Sequence, residues 1–316
     1  MTRFVTCGAL AASVLCVLAV AGQQRPVFRG ATDTVPVFVT VTDRDGKLVT
    51  TLTRDDFEVR DEGKPQPVTQ FDNTPQPIRL IVMLDVSGSM EGNLSVLRSA
   101  ASQLFARLRP DDVARVGTFG QQITMSPSFT NAPGELRSAL PTGIDPDAPT
   151  PLWRAIDQAL GTFGDANDKR AVILVLSDGK DSPPFSFRQR PMSQAEIIER
   201  ARREDVMIFG VGMRSRSSRP MPPAIGPGGL QAALLADMPD PGLALVAERT
   251  GGGYREIRLG QDLDAAFAAV ADELHSQYLL GFAPPKRDGK VHDIDVRVNK
   301  GGLKPRARQS YVAPKG

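Results

Sequence analysis

Cysteine is nearly missing from this 316-residue sequence, and the two present, Cys7 and Cys16, both sit close to the amino terminus. Their surroundings, MTRFVTCGALAASVLCVLAVAGQQ, combine one basic residue, Arg3, an apolar run from about Cys7 to Val20, and small residues at Ala19 and Ala21. This is the pattern of a secretory signal peptide ending in an A-x-A site, so residues 1–21 are expected to be removed. The mature chain then holds no thiol, which excludes a disulfide framework, a cysteine-ligated zinc and a cysteine nucleophile. Long apolar runs are missing too: neither this one nor any later one reaches the roughly 20 residues that a spanning helix needs. Cys16 follows Ser-Val-Leu, without the small residue expected before a lipidated cysteine. A soluble product, secreted or periplasmic, is expected.

Charge of one sign is also lacking. Lys and Arg number 38 against 36 Asp and Glu, a formal +2, so no global field favours nucleic acid or an anionic membrane. Histidine is scarce, with only His275 and His292. Neither belongs to a recognisable triad, and no G-x-S-x-G elbow is present, which argues against serine hydrolysis.

What is present is an ordinary globular composition, 41% hydrophobic and 23% charged, long enough for one sizeable domain and a smaller one. From Thr34, TVPVFVTVTDRDGKLVTTLTRDDFEVRDEGKPQPVTQFDN alternates apolar and polar residues around Asp-Gly and Glu-Gly turns, a β-hairpin signature. Residues 30–76 are expected to form a small β unit. Over 77–276, near-continuous apolar strands alternate with amphipathic helices, the pattern of a doubly wound α/β domain with a mostly parallel central sheet. A Pro, Gly, Ser and Arg-rich stretch, 213–242, reads as an inserted surface loop. Residues 277–313 return to β pattern and are too few to stand alone. We expect them to pair with the N-terminal unit, making a small β-sandwich that flanks or encloses the α/β domain.

The segment LIVMLDVSGSM poses the functional question, because a buried strand there ends in small oxygen-bearing side chains. Ligands of open parallel sheets bind beyond the carboxyl ends of the strands. Asp85, Ser87 and Ser89 fall at such an end, with Gly88 expected to let the backbone turn tightly. Hard oxygens suit Mg²⁺, Mn²⁺ or Ca²⁺. Asp178 ends a second apolar strand, LVLSDGKD, and would face Asp85. Thr150 directly precedes a helix, where its hydroxyl could cap that helix or reach the metal. Two adjacent carboxylates repel, and a divalent ion between them resolves the conflict.

The segments DVSGSM, PTPLW and LVLSDGKD, in this order in an α/β chain, resemble the von Willebrand factor type A domain and its metal-ion-dependent adhesion site. TGGGYREI and HSQYLLGFAPP are similar to the bacterial VWFA-related proteins, and the resemblance spans roughly residues 34–313. It implies that Ser87 and Ser89 coordinate the ion directly, that Thr150 joins when a ligand binds, and that Asp85 and Asp178 act directly or through water. The implied function is metal-dependent protein–protein binding or adhesion without catalysis, the partner offering an Asp or Glu carboxylate to the open metal position.

Alternatives remain at this stage. Asp85 could simply cap a turn. A strand-terminal aspartate could be a phosphoryl acceptor in a metal-dependent phosphatase or hydrolase, although such phosphatases use D-x-D and the second acid is here Ser87. The site could also be vestigial in a structural scaffold. Asp181 reads as a solvated loop acid, and Trp153, Phe163 and Tyr278 as core. His275 reads as packed or on the surface. Arg200, Arg202 and Arg203, with Arg214, Arg216 and Arg219, could form a basic patch, but the interleaved Glu196, Glu199 and Glu204 favour a solvated face.

Overall fold

Alternating valines set the first strand, β1 (Val35–Thr42), where Val35, Val37, Val39 and Val41 all point into a core. The computed structural model describes residues 34–164, 169–178, 181–182, 192–214, 240–258 and 263–316. The expected signal peptide and most of the expected inserted loop lie outside them. Next come β2 (Phe57–Asp61), β3 (Lys64–Gln66) and β4 (Gln70–Asp72). The β2–β3 hairpin closes on Glu62 and Gly63, both at positive φ (49° and 75°), as a tight two-residue turn requires. The DRDG segment turns as well, but only an isolated Thr42–Leu48 bridge follows it. No second hairpin strand forms there.

The α/β part contributes β5 (Ile78–Asp85), α1 (Leu94–Ala106), β6 (Val113–Phe119), β7 (Ile123–Met125), α2 (Pro133–Ser138), α3 (Leu152–Leu160) and β8 (Arg170–Ser177). It continues with α4 (Gln194–Arg203), β9 (Val206–Arg214), α5 (Pro241–Thr250), β10 (Tyr254–Arg258) and α6 (Leu263–Leu274). The six strands run in the order β10-β9-β8-β5-β6-β7, all parallel except the edge strand β7. Leu80, Val82 and Leu84 of β5 pack with α1 and α6 on one face, while Ile81 and Met83 pack with α3, α4 and α5 on the other. Burial of each such side chain stabilises by about 1.5–3 kcal/mol. That reserve permits the same strand to end in a buried carboxylate.

After α6 come β11 (Tyr278–Phe282), β12 (Val291–Val298), β13 (Lys304–Arg306) and β14 (Ser310–Val312). They interleave with the N-terminal strands in two antiparallel sheets, β13-β1-β11-β4 and β14-β12-β2-β3. Their shared core holds Val37, Val39, Val59, Tyr278, Leu280 and Phe282. The segment PRARQSYVAP, which reads as one strand, is two: β13 pairs with β1 and β14 with β12, so the chain crosses between sheets. Trp153, Phe163 and Tyr278 are all buried.

Polar contacts brace the α/β part and join it to the sandwich. Asp112, fully buried, accepts from the backbone N–H of Ile78 (3.0 Å) and Arg109 (2.7 Å) and lies 2.8 Å from His275 Nε2. Gln277 donates to Thr40 Oγ1 at 2.8 Å, and Arg170 bonds Gln277 and the carbonyl of Leu274 while stacking over Phe38 at 4.5 Å. Both histidines are packed, His292 beside Asp61 and Tyr311 in the sandwich core. No helix among the described residues is long and apolar enough to cross a membrane.

Candidate metal site

Strand β5 lies at the centre of the sheet with β6 on one side and β8 on the other, so the chain reverses its direction of travel across the sheet here. The carboxyl ends of β5 and β8 therefore open a crevice between them. Asp85 is the last residue of β5 and Asp178 directly follows β8. Exposure is 0% for Asp85, 1% for Ser87, 2% for Asp178 and 5% for Thr150, whereas Ser89 is exposed at the mouth.

A short chain of bonds joins Asp85, Ser87, Ser89 and Asp178. Asp85 Oδ1 accepts from the Ser87 N–H at 2.9 Å, and Asp85 Oδ2 accepts from Ser177 Oγ at 2.6 Å. Ser87 and Ser89 hydroxyls lie 3.1 Å apart, and Ser89 Oγ donates to Asp178 Oδ1 at 2.6 Å. The other oxygen, Asp178 Oδ2, is buried with no hydrogen-bond partner among the described residues. An orphaned buried carboxylate oxygen is costly, and a cation placed against it would remove the cost.

Electrostatics point the same way. Burial first, and the neighbouring Asp178 charge second, push Asp85 up to about 7, even though Ser177 and Ser87 bond its charged form. Burial pushes Asp178 up to about 6 against the bond from Ser89. Two carboxylates that resist ionisation side by side, with hydroxyls around them, form a hard-oxygen donor set suited to a divalent cation.

The remaining loops are held by backbone. The backbone turns tightly here, in a 3-10 turn over Gly88–Met90, as expected, but Gly88 has an ordinary φ; what excludes a side chain is that its Cβ would lie 1.9 Å from the Pro146 carbonyl oxygen. With no side chain there, Gly88 N–H reaches the Ala148 carbonyl at 3.1 Å. That contact holds Ala148, two residues before Thr150, against the Ser87–Ser89 segment. Thr150 also forms an antiparallel bridge with Ser182, through N–H···O bonds of 3.2 and 2.8 Å. It does not cap α3.

Asp181 does so instead, accepting from Trp153 N–H at 3.2 Å, and its own N–H reaches Asp240 at 3.2 Å. Burial raises its pKa, so it is no solvated loop acid. Ser177 is the other contributor that sequence reasoning passed over. A hydroxyl closing an otherwise apolar strand, LVLS, was its available signal, whereas the role of Asp181 depends on a loop meeting a distant helix end.

No curated protein matches the chain. Among solved structures it resembles a von Willebrand factor type A protein from Catenulispora acidiphila, at 11% identity and TM-score 0.48, covering 90% of this chain and 75% of that one. It also resembles the conserved hypothetical protein BatB from Bacteroides thetaiotaomicron (18% identity, TM-score 0.43, 62% of this chain and 97% of that one). A third is proximal thread matrix protein 1 from the mussel byssus with a zinc-occupied MIDAS motif (16% identity, TM-score 0.44, 68% and 49%). At these levels the likenesses say nothing of function. The family model described as von Willebrand factor type A domain matches residues 80–180, the stretch that runs from β5 through the loops to Asp178. This chain contains a von Willebrand factor type A domain.

Proposed function

We propose that the protein is a metal-dependent binding module that operates outside the cytoplasm. Asp85, Ser87, Ser89, Thr150 and Asp178 hold one divalent ion, Mg²⁺ by preference and Mn²⁺ or Ca²⁺ as alternatives. The bound ion supplies an electrophilic position that accepts a carboxylate from an Asp or Glu of a partner protein. The observation that carries this reading is the buried Asp178 Oδ2, without a hydrogen-bond partner among the described residues, beside a second buried carboxylate, with the exposed Ser89 leaving the cluster open to solvent. Mg²⁺ retains several waters in such sites, so one position remains exchangeable. The extracytoplasmic placement rests on the amino-terminal sequence.

The reading assigns no catalysis. His275 and His292 are each engaged with an aspartate far along the chain from the cluster, and no base is positioned by them at Ser87 or Ser89. Titration calorimetry of Mg²⁺, Mn²⁺, Ca²⁺ and Zn²⁺ into metal-stripped protein tests the site. Saturable binding that disappears in Asp85→Ala/Ser87→Ala is the expected result. Absence of binding by the unaltered protein would leave a scaffold with a vestigial site.

A further inference from the structure

The opposite end of the parallel sheet carries a second polar site. Where the amino ends of β8 and β9 meet the β-sandwich, a recess of about 20 Å³ is lined by Arg170, Arg202, Arg249 and Arg308. It shares Phe38, Arg170 and Asp205 with an open cleft of about 810 Å³, to which Arg200 and Arg203 also contribute. Strand β8 separates this region from the metal cluster: eight residues at about 3.3 Å each place the two about 25 Å apart.

Two independent observations point to a ligand. Among the described residues, five arginines have a buried Nε without a hydrogen-bond partner, and three of them, Arg170, Arg202 and Arg308, line the recess. Buried donors are normally satisfied, so three orphaned donors on residues that line one small space call for an acceptor there. The second observation is charge. Among the described residues, the acids lining these two spaces are Glu204 and Asp205. Arg308 pairs with Asp205, Arg200 with Asp157 and Glu204, and Arg203 with Glu199. Arg170 hydrogen-bonds neutral groups, Gln277 and the Leu274 carbonyl; burial lowers its pKa to about 10, against the pull of the nearby Asp112 and Asp205 charges. Of the glutamates interleaved with the arginines of α4, Glu204 lines the cleft, which Arg79, Lys169, Arg170, Arg200 and Arg203 also line.

We propose that this junction binds a small amphipathic oxyanion, with one oxygen of its phosphate or carboxylate head entering the arginine recess and the rest of the molecule lying in the larger cleft. The recess has room for about one water-sized group, which fits a single head-group oxygen and no larger body. The cleft has the volume of a small-molecule site and offers Phe38, Leu160, Phe163 and Leu279 as apolar lining. A planar guanidinium suits either head group through paired N–H donors.

Calorimetric titration of full-length mature protein, stripped of metal, with phenyl phosphate, benzoate and inorganic phosphate tests the proposal. Phenyl phosphate or benzoate is expected to bind saturably, more tightly than inorganic phosphate, with affinity falling as salt is raised. Arg202→Gln should weaken that binding at least ten-fold. Should that variant fail to fold, Arg249→Gln, at an exposed position, carries the same test. Asp178→Ala should leave the affinity unchanged, which separates this site from the metal cluster. Absence of saturable binding, binding unaffected by the arginine variants, or equal affinity for inorganic phosphate would each overturn the proposal.

Discussion

Ser177 Oγ donates to Asp85 Oδ2 at 2.6 Å, so the hydroxyl that closes β8 holds the carboxylate that closes β5. The bond crosses between neighbouring parallel strands at the floor of the crevice. It satisfies the side of Asp85 that faces away from the Ser87 N–H. Ser177→Ala would leave a buried oxygen unpaired, a loss of about 1–3 kcal/mol in stability. Urea unfolding of the metal-free protein checks this, and a parallel Mg²⁺ titration should show weaker binding.

Acid should stabilise the metal-free protein. Asp85 and Asp178 have folded pKa values raised to about 7 and about 6, above the unfolded carboxylate value. Their protonated forms are therefore favoured by folding: the contribution is full below about pH 4 and is lost as pH rises through 6 to 7. The loss should be on the order of a few kcal/mol. Thermal unfolding between pH 4.5 and 7.5, with and without Mg²⁺, tests the sign. The decline should be clear without the ion and flattened with it, because a bound cation favours the ionised carboxylates.

Gly88→Ala should separate folding from metal binding. The added Cβ meets the Pro146 carbonyl, a backbone atom, so the 145–150 loop must shift. Overpacking of this kind costs about 1–3 kcal/mol, less than the stability of a typical domain. A folded variant with Mg²⁺ affinity reduced at least ten-fold is expected by circular dichroism and calorimetry.

Asp181→Ala removes the acceptor at the start of α3. A lost helix cap costs about 0.5–2 kcal/mol. Since α3 follows Thr150 directly, the same change should loosen that loop, read as faster amide exchange at Leu152 and Trp153.

Asp112→Ala should be the most destabilising of these changes. It orphans two backbone N–H groups and the His275 partner at a buried position, each buried orphan costing about 1–3 kcal/mol. Chemical denaturation should show a marked fall in midpoint, with metal binding by the residual folded fraction unchanged.

Much of this was open to reading from order along the chain. The period-two valines of β1 and the unbroken apolar run of β5 follow from local patterning, which dictates which faces are buried and hence the sheet type. Asp85, Ser87, Ser89 and Asp178 stand out along the chain because a polar cluster ending a buried strand conflicts with its apolar surroundings. Other features had no local signal. The split of PRARQSYVAP between two sheets arises from which edges β1 and β12 leave open, and Gly88 matters because of a carbonyl from residue 146.

Local chemistry thus dictated the elements, their faces and the oxygen-rich strand ends, since propensity and hydrophobic period act over a few residues. Tertiary structure alone decided three things: that Ser177 supports Asp85, that Asp181 caps α3, and that arginines from α4, α5, β8 and the carboxyl-terminal segment converge on one recess. Each depends on groups far apart in sequence meeting across a packed interface, and no window of residues carries that distance.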